Sequence, residues 1–173
     1  MLRCRHLRTV ILFLLCAATT AACGYRFSGS GDLPGGVETI YIGVFENKSG
    51  ETGFETYIAN DLIYQFTRFG SRRLVDPSRA DAGLTGTIKS VSSTTISHLT
   101  AQTSAERRLQ ATIAVRLTSA EGALLWSDNA ITAYETYTVG SDKAQTENNK
   151  KSALATLSSR VAERIYYRLA DNF

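Results

Sequence analysis

Three cysteines are the most reactive side chains of this sequence, and their positions decide what chemistry they can do. Cys4 and Cys16 lie in the N-terminal segment, whereas Cys23 follows the small residues of the stretch TTAA. A thiol in this setting is typical of an exported bacterial protein that is cleaved before the cysteine and acylated on it. Thr20 stands where an aliphatic residue is usual. The pattern predicts an S-diacylglycerol and an N-acyl group on Cys23; an exported protein with a free thiol is the alternative.

The segment before Cys23 has the composition of an export signal. Three arginines and no acidic residue precede the almost wholly apolar residues 10–18, a stretch too short to span a bilayer. We therefore expect residues 1–22 to be a cleaved signal peptide; an uncleaved anchor and a buried core helix are the alternatives. Gly24, where an aspartate would retain the protein in the inner membrane, predicts a lipid-anchored location in the cell outer membrane.

Cleavage changes the redox chemistry and the net charge expected of the mature chain. Cys23 alone would remain, and it would be acylated, so we expect no disulfide and a fold held by a hydrophobic core. The sequence has 19 basic and 16 acidic residues, and losing the three arginines of residues 1–22 leaves 16 of each sign. The mature protein is then formally neutral. Nucleic acid is not an expected partner, because an overall basic field is missing.

The rest of the sequence predicts a tether followed by one folded domain. Residues 23–37 contain the stretch SGSGDLPGG, which is typical of a flexible tether, and residues 38–173 have the length of a single domain. Residues 38–47, ETIYIGVFEN, predict a first strand with apolar residues on both faces. The alternation places these residues in two sets: Ile40, Ile42 and Val44 on one face, and Tyr41 and Phe45 on the other.

Two helices are predicted from apolar residues at helical spacing. The first begins at a capping box formed by Thr52 and Glu55 and ends at Gly70. Its expected core stripe consists of Phe54, Ile58, Leu62, Phe66 and Phe69. The second covers residues 145–170, with a stripe of Leu154, Leu157, Val161, Ile165 and Leu169.

Between the helices the sequence predicts three long strands, at residues 82–99, 109–118 and 123–138, with a hairpin turn at residues 119–122. The middle strand alternates most regularly, and its expected inward residues are Leu109, Ala111, Ile113, Val115 and Leu117. The order β-α-β-β-β-α predicts an α+β fold. We expect a four-stranded, mostly antiparallel sheet with two helices packed on one face.

The residue types needed for catalysis are scarce. The mature chain contains one histidine, His98, and no Cys/His metal spacing, phosphate-binding glycine loop or Gly-x-Ser-x-Gly turn. We interpret His98 as a surface residue. The sequence favours a binding and scaffold protein without metal or cofactor over an enzyme.

A cluster of cations follows a segment rich in hydroxyl groups. Residues 90–105 contain no aspartate, glutamate, lysine or arginine and many serines and threonines, which would suit a polar protein partner or simply an exposed, flexible hairpin. Arg107 and Arg108 come shortly after it, and Lys89 and Arg116 lie on neighbouring strand segments. Guanidinium groups bind phosphate through paired hydrogen bonds. These four residues are therefore candidates for binding a phosphorylated ligand, with ordinary surface charge as the alternative.

Arg160, Arg164 and Arg168 form a second row of cations, four residues apart along the second predicted helix. Cations near a helix C-terminus interact favourably with its dipole, by a few tenths of a kcal/mol each. We interpret this row as structural rather than as a binding site.

Taken in order, several stretches of the chain resemble the LptE (RlpB) family of lipopolysaccharide-assembly lipoproteins. They are the cysteine followed by GYRFSG, then LP, IYIGVFEN, RFGSRRLV, ADAGLTGTIKSV and a late LLW. No single stretch is specific, but the ordered set covers essentially the whole mature chain.

The resemblance implies a two-helix, four-stranded domain that sits as a plug inside the lumen of an outer-membrane β-barrel, LptD, in a 1:1 complex. Family members help the barrel to assemble and bind lipopolysaccharide during its insertion into the outer leaflet. Lys89, Arg107, Arg108 and Arg116 are then candidates for binding lipid A phosphates. The alternative is a lipid-anchored accessory domain of another envelope machine, for secretion or for peptidoglycan synthesis.

Overall fold

The computed structural model describes residues 33–69, 73–97 and 105–170. The predicted signal peptide, the predicted acylation site Cys23, the predicted helix stop at Gly70 and His98 lie outside the described residues.

The described chain forms six strands and two helices, with short 3-10 turns at Pro34–Gly36 and Pro77–Arg79. The strands are β1 (Thr39–Ile42), β2 (Glu46–Asn47), β3 (Arg73–Leu74), β4 (Ala82–Ser97), β5 (Glu106–Ser119) and β6 (Leu124–Thr138). The helices are α1 (Phe54–Phe69), between β2 and β3, and α2 (Lys143–Ala170), after β6.

All six strands belong to one mixed sheet, in the order β3-β1-β4-β5-β6, with β2 also pairing with β4. β1 runs parallel to β3 and β4, β2 runs parallel to β4, and β5 runs antiparallel to both β4 and β6. The predicted α+β class and the two helices are confirmed. The expectation of four mostly antiparallel strands is wrong for two reasons. The chain crosses over through α1, so that β3 and β4 run parallel to β1. The two-residue strands β2 and β3 also belong to the sheet.

The first predicted strand is interrupted between Ile42 and Glu46, so its alternation fails at Val44. Gly43 still donates a hydrogen bond to Leu84 O at 2.9 Å, but Val44 is 70% exposed whereas Phe45 is 2% exposed. The prediction that Val44 shares the buried face of Ile40 and Ile42 is therefore wrong. The chain turns so that the larger Phe45 side chain enters the core.

The Phe45 ring fits there because residue 86 of β4 is a glycine. A Cβ atom built on Gly86 would lie 2.5 Å from the Phe45 ring and would also collide with the carbonyl oxygen of Ala114. Glycine at this position thus permits a close approach of ring to backbone. Gly83, three residues earlier on the same strand, has open space at the corresponding position.

The start of α1 differs by one residue from the predicted capping box. The helix begins at Phe54, and the Glu55 carboxylate accepts a hydrogen bond from the backbone N–H of Gly53 at 3.1 Å and another from Asn47 at 2.5 Å. Gly53, at φ 88°, therefore takes the capping position that the sequence assigned to Thr52. A glycine adopts this conformation without the strain that a threonine side chain would add.

The helix stripes are confirmed except at one position. Phe54, Ile58, Leu62 and Phe66 of α1 are buried, but Phe69 is 49% exposed. In α2 the predicted residues from Leu157 onward are buried, and Leu154 packs partly against the core. The inward residues predicted for β5 are all buried, and the hairpin turn to an antiparallel β6 is confirmed.

The two helices lie side by side and parallel, in contact at both ends. Near their N-termini, Lys150 Nζ lies 2.5 Å from the Glu51 carboxylate, an interaction that raises the pKa of Lys150 above its usual value. Further along, the buried Ser158 donates a hydrogen bond to Asp61 at 2.5 Å. The C-terminal ends of the two helices therefore lie at the same end of the domain.

The first described residues belong to the segment expected to be a tether, but they pack against the folded domain. Leu33, Pro34 and Val37 are buried, and a Cβ on Gly35 would lie 3.3 Å from the Leu125 side chain at the start of β6. The packed part of the protein therefore includes Leu33, five residues before the expected boundary at residue 38.

The glycine contact predicts a position-specific effect on stability. Gly86→Ala should lower the free energy of unfolding by about 1–3 kcal/mol, because the added methyl group overpacks the site against Phe45 and Ala114. Gly83→Ala, the matched control on the same strand, should leave it unchanged or slightly raise it. Urea unfolding of both variants measures this, and equal effects at the two positions would contradict the close packing of Phe45.

Candidate functional site

The sheet has one covered face and one uncovered face. Both helices pack on the face that carries the buried residues of β5, from Leu109 to Leu117. On the opposite side, which we call the outer face, no described element covers β4, β5 and β6. Most of its side chains carry hydroxyl groups and are exposed or half-buried: Thr85, Thr87, Ser92, Thr94, Thr112, Ser127, Thr132 and Thr136.

Two of the predicted phosphate ligands lie on the outer face by strand register. Arg108 is opposite Thr94 and Thr136, and Arg116 is opposite Thr85 and Ser127. The two arginines are eight positions apart on β5, which corresponds to about 27 Å along a strand. They cannot bind the same phosphate group.

Lys89 occupies the outer face between these two arginines. It is the extra residue of a β-bulge, where Ile88 pairs with Ile113 and Ser90 pairs with Thr112. Its Nζ donates a hydrogen bond to Asn129 O on β6 at 2.8 Å, so the side chain crosses β5. This crossing runs over the outer face, because the other side is filled by the buried Ile88 and Ile113. Three of the four predicted cations therefore form one row.

Arg107 does not belong to this row. It is opposite Thr95 and Tyr137, and the Tyr137 side chain is buried on the helix-covered side. Successive residues of a strand point to opposite faces, so Arg107 and Arg108 are directed away from each other. The structure does not bring these neighbouring arginines together, and a phosphate group held jointly by both is not compatible with this register.

Arg108 is held by an aromatic ring. Its guanidinium carbon lies 5.2 Å from the centroid of Tyr134, a cross-strand neighbour on β6 that is 52% exposed. A guanidinium stacked on a ring in this way gains a cation–π attraction while its N–H groups stay available to a further ligand.

Arg116 lines a concave feature on the outer face. This cavity has a volume of about 340 Å³, and its polar lining comes from Thr87, Ser127 and Asn129. Leu124, which is 62% exposed, supplies an apolar wall. Within the described part of the chain, the guanidinium group of Arg116 has no hydrogen-bonding or ion-pair partner. The cavity thus combines an available cation, hydroxyl and amide groups, and an apolar surface.

Sequence reasoning missed the residues that complete these environments: Leu124, Ser127, Asn129 and Tyr134, all on β6. Their roles depend on the register between β5 and β6, which includes irregularities near Asp128 and Leu124. The opposite orientation of Arg107 and Arg108 could have been read from the two-residue period of the strand alone.

The arginine row of α2 is structural, as the sequence analysis interpreted it, but the helix dipole is not its main interaction. Arg160 pairs with Glu135 at 2.8 Å, Arg164 donates a hydrogen bond to the carbonyl oxygen of Thr132, and Arg168 pairs with Asp128. All three partners are on β6, the edge strand. The row therefore fastens α2 to the sheet and occupies edge carbonyl groups that could otherwise pair with a foreign strand.

The pKa of Asp128 reflects opposing effects at the contact between α2 and β6. Partial burial disfavours its ionised form, but hydrogen bonds from the backbone N–H of Ala130 and from Arg168, together with the Arg168 charge, outweigh this. The pKa of Asp128 is accordingly lowered from its usual value. The carboxylate is held ionised against Arg168, which is the expected state of a structural ion pair.

The described residues contain no group of three or more histidine, cysteine or acidic side chains that could hold a metal ion. Among the same residues, no helix is long and apolar enough to cross a bilayer.

Solved structures share this fold at low sequence identity. An uncharacterized lipoprotein B from Nitrosomonas europaea is 18% identical, with a TM-score of 0.58 over 85% of this chain and 90% of that one. The rare lipoprotein B from Shewanella oneidensis is 13% identical, with a TM-score of 0.51 over 78% and 95%. A minor lipoprotein from Acinetobacter baumannii is 15% identical, with a TM-score of 0.51 over 78% and 92%. A comparison with curated proteins found no match.

Two parallel helices on one face of a mixed sheet thus place the protein in the fold class of these envelope lipoproteins. The family model described as LptE, lipopolysaccharide-assembly, matches residues 37–169, and the chain belongs to this family. The resemblance inferred from the sequence stretches is confirmed. The family consists of non-enzymatic accessory lipoproteins without a cofactor, and membership supports a role in lipopolysaccharide assembly.

The contact between α2 and β6 predicts a loss of stability when its arginines are removed. Arg160→Ala combined with Arg164→Ala should lower the free energy of unfolding by about 1–2 kcal/mol, since both partly exposed side chains lose charge-assisted hydrogen bonds. Lys143→Ala combined with Lys151→Ala removes the same charge from exposed positions of the same helix and should have almost no effect. Urea unfolding compares the two, and equal losses would argue against a fastening role.

Proposed function

We propose that this protein is an outer-membrane lipoprotein, anchored through lipid on Cys23, that plugs and helps to assemble an LptD-like β-barrel in a 1:1 complex. In this role it binds lipopolysaccharide during insertion into the outer leaflet. Membership of the LptE family supports the proposal, and the chemistry of the outer face carries it.

The outer face fits the wall of a polar barrel lumen. It extends over three strands of 14 to 16 residues that no described element covers, and most of its side chains are serine or threonine. The interior of a transmembrane barrel is polar. Hydroxyl groups can exchange hydrogen bonds with such a wall without the cost of burying unpaired charge. A sheet face made for solvent alone would more often carry many charged residues.

The cavity at Arg116 fits part of a phosphorylated lipid. Its guanidinium can bind a phosphate group, Ser127 and Asn129 can bind further oxygens, and Leu124 offers apolar contact. Lys89 and Arg108 extend the positive row along the same face, at spacings that suit several separate anionic groups rather than one. Arg107 faces the other side, and we assign it no part in binding.

The second candidate function is an accessory domain of another envelope machine, for secretion or peptidoglycan synthesis. A lipid anchor and an uncovered polar sheet face would also serve a periplasmic protein partner. The two candidates differ in the partner they require, because only the first needs an integral β-barrel in equal amount.

The partner is tested by co-purification. The tagged full chain, expressed in its own host and extracted from the outer membrane in mild detergent, should recover a large β-barrel protein in about equal amount. Ser92→Asp combined with Thr132→Asp should reduce this recovery several-fold while the melting temperature stays nearly unchanged, because both positions are exposed on strands that do not pair with each other and the new carboxylates would be desolvated only against the lumen wall. Recovery of periplasmic synthases or secretion components without a barrel would favour the second candidate.

The anchor is tested by metabolic labelling with a palmitate analogue. The unmodified chain should be labelled, and Cys23→Ala should not, because the acceptor thiol is removed. Cys16→Ala, which changes a cysteine of the segment expected to be cleaved, is the control and should be labelled normally. Equal labelling of Cys23→Ala would contradict the predicted attachment site.

Ligand binding is tested by comparing two double variants of equal charge. Arg108→Ala combined with Arg116→Ala should weaken lipopolysaccharide binding at least about tenfold, because charge-assisted hydrogen bonds contribute about 1.5–3 kcal/mol each. Arg107→Ala combined with Lys151→Ala removes two charges away from the outer face and should change the Kd less than about twofold. Equal losses of affinity in the two double variants would indicate nonspecific attraction to an anionic micelle. A loss of affinity only in the second double variant would show that the binding site is not on the outer face.

A further inference from the structure

Exposed aromatic side chains are concentrated at the C-terminal ends of the two helices. Tyr64 and Phe69 of α1 are 51% and 49% exposed, and Tyr167 of α2 is 46% exposed. The buried ring of Tyr166 links Phe69 to Tyr167, with its centroid 6.2 Å from that of Phe69 and 5.7 Å from that of Tyr167. We call Tyr64, Arg68, Phe69, Tyr166 and Tyr167 the aromatic patch.

Arg68 provides the charge of this patch. Its guanidinium carbon lies 5.7 Å from the Tyr64 ring centroid and 5.0 Å from that of Phe69, and one N–H group donates to the Tyr64 hydroxyl. The last seven residues of α1, IYQFTRF, contain no acidic residue. The cation is therefore held against two half-exposed rings, which gives the patch both apolar surface and positive charge.

The patch lies at the end of the domain where the described chain begins. Phe69 is four residues before Arg73, so their Cα atoms are at most about 14 Å apart. Arg73 pairs with Thr39 at the start of β1. At the end of the other helix, Arg168 pairs with Asp128 near the start of β6, and Gly35 adjoins Leu125 on the same strand.

Chain length then limits the distance to the predicted anchor. Cys23 is ten residues before the buried Leu33, a separation of at most about 35 Å even when fully extended. A lipid on Cys23 would keep this end of the domain close to a membrane surface. The resulting high local concentration means that a weak contact is enough to hold the patch there.

We propose that the aromatic patch docks onto the phospholipid surface in which the lipid of Cys23 is inserted; this rests on the anchor in the proposed function. Tyrosine and phenylalanine rings with one apolar and one polar side are suited to the headgroup region. Arg68 attracts the anionic headgroups of a negatively charged leaflet. A protein partner is less suited, because three half-exposed rings fall far short of the roughly 20–30 residues a side in a stable interface.

The test uses the full, lipidated chain in vesicles of phosphatidylcholine and phosphatidylglycerol. In a Trp126→Phe background, which removes the single tryptophan of the sequence, Phe69→Trp places a fluorophore in the patch. Tyr134→Trp, on the outer face, is the matched control because its side chain is similarly exposed. Phospholipid brominated near the headgroup end of the acyl chain should quench the Phe69→Trp variant at least about twofold more than the control.

Further arms separate the possible failures. Adding Arg68→Gln to Phe69→Trp should reduce the quenching in anionic vesicles, and omitting phosphatidylglycerol should do the same to the unmodified patch. A protein that does not float with the vesicles would contradict the anchor itself. Flotation without excess quenching would overturn only the docking proposal. A blue-shifted emission without quenching would also overturn it, since a second copy or a protein partner would then cover the patch.

Discussion

The arrangement of this protein depends on the packing of two parallel helices against one face of a sheet. The core lies between the helices and the sheet: Ile58 of α1, Ile113 of β5 and Val161 of α2 are all fully buried. Burying apolar surface is the main favourable contribution to folding, and it needs only one face of the sheet here. Because the helices satisfy that need alone, the long strands β4, β5 and β6 can leave their other face uncovered. The division between a structural face and a face available for binding follows from this single layer contact.

The same contact explains why the cations of the chain have such different roles. Arg160, Arg164 and Arg168 lie where α2 runs along the edge strand β6, so each meets a carbonyl group or a carboxylate of that strand. Arg108 and Arg116 project from the opposite side, which neither α1 nor α2 covers. Arg108 stacks on the ring of Tyr134, and Arg116 borders an open cavity. The mature chain is expected to be formally neutral. The position of each arginine relative to the helices therefore decides whether it holds α2 to the sheet or is available to bind a ligand.

The sequence predicted best those features that depend on local periodicity. The alternation of β5 and the stripe of α2 each extend over several turns or residue pairs, so tertiary contacts reinforce them. Predictions failed where a tertiary contact overrides the local pattern. Val44 is displaced because Phe45 fits against Gly86, and the two-residue strand at Arg73 exists only because β1 lies beside it. The candidate site was half predictable for the same reason: residue types and strand period indicate Arg108 and Arg116, but their β6 neighbours depend on register.

Phe69 shows how a failed core prediction can carry information. Its spacing places it on the stripe of α1, and a residue of this type inside a stripe is normally buried. It lies in the last turn of α1, where its ring contacts Tyr166 of α2 and the Arg68 guanidinium but stays half-exposed. Tyr167 lies near the end of α2 on its exposed side, whereas its neighbours Tyr166 and Leu169 are buried. Parallel packing thus brings apolar residues from both helices to one end of the domain, where the chain also enters. Burial of these rings requires a surface outside the described fold, and the predicted acyl chains on Cys23 would place a membrane within reach.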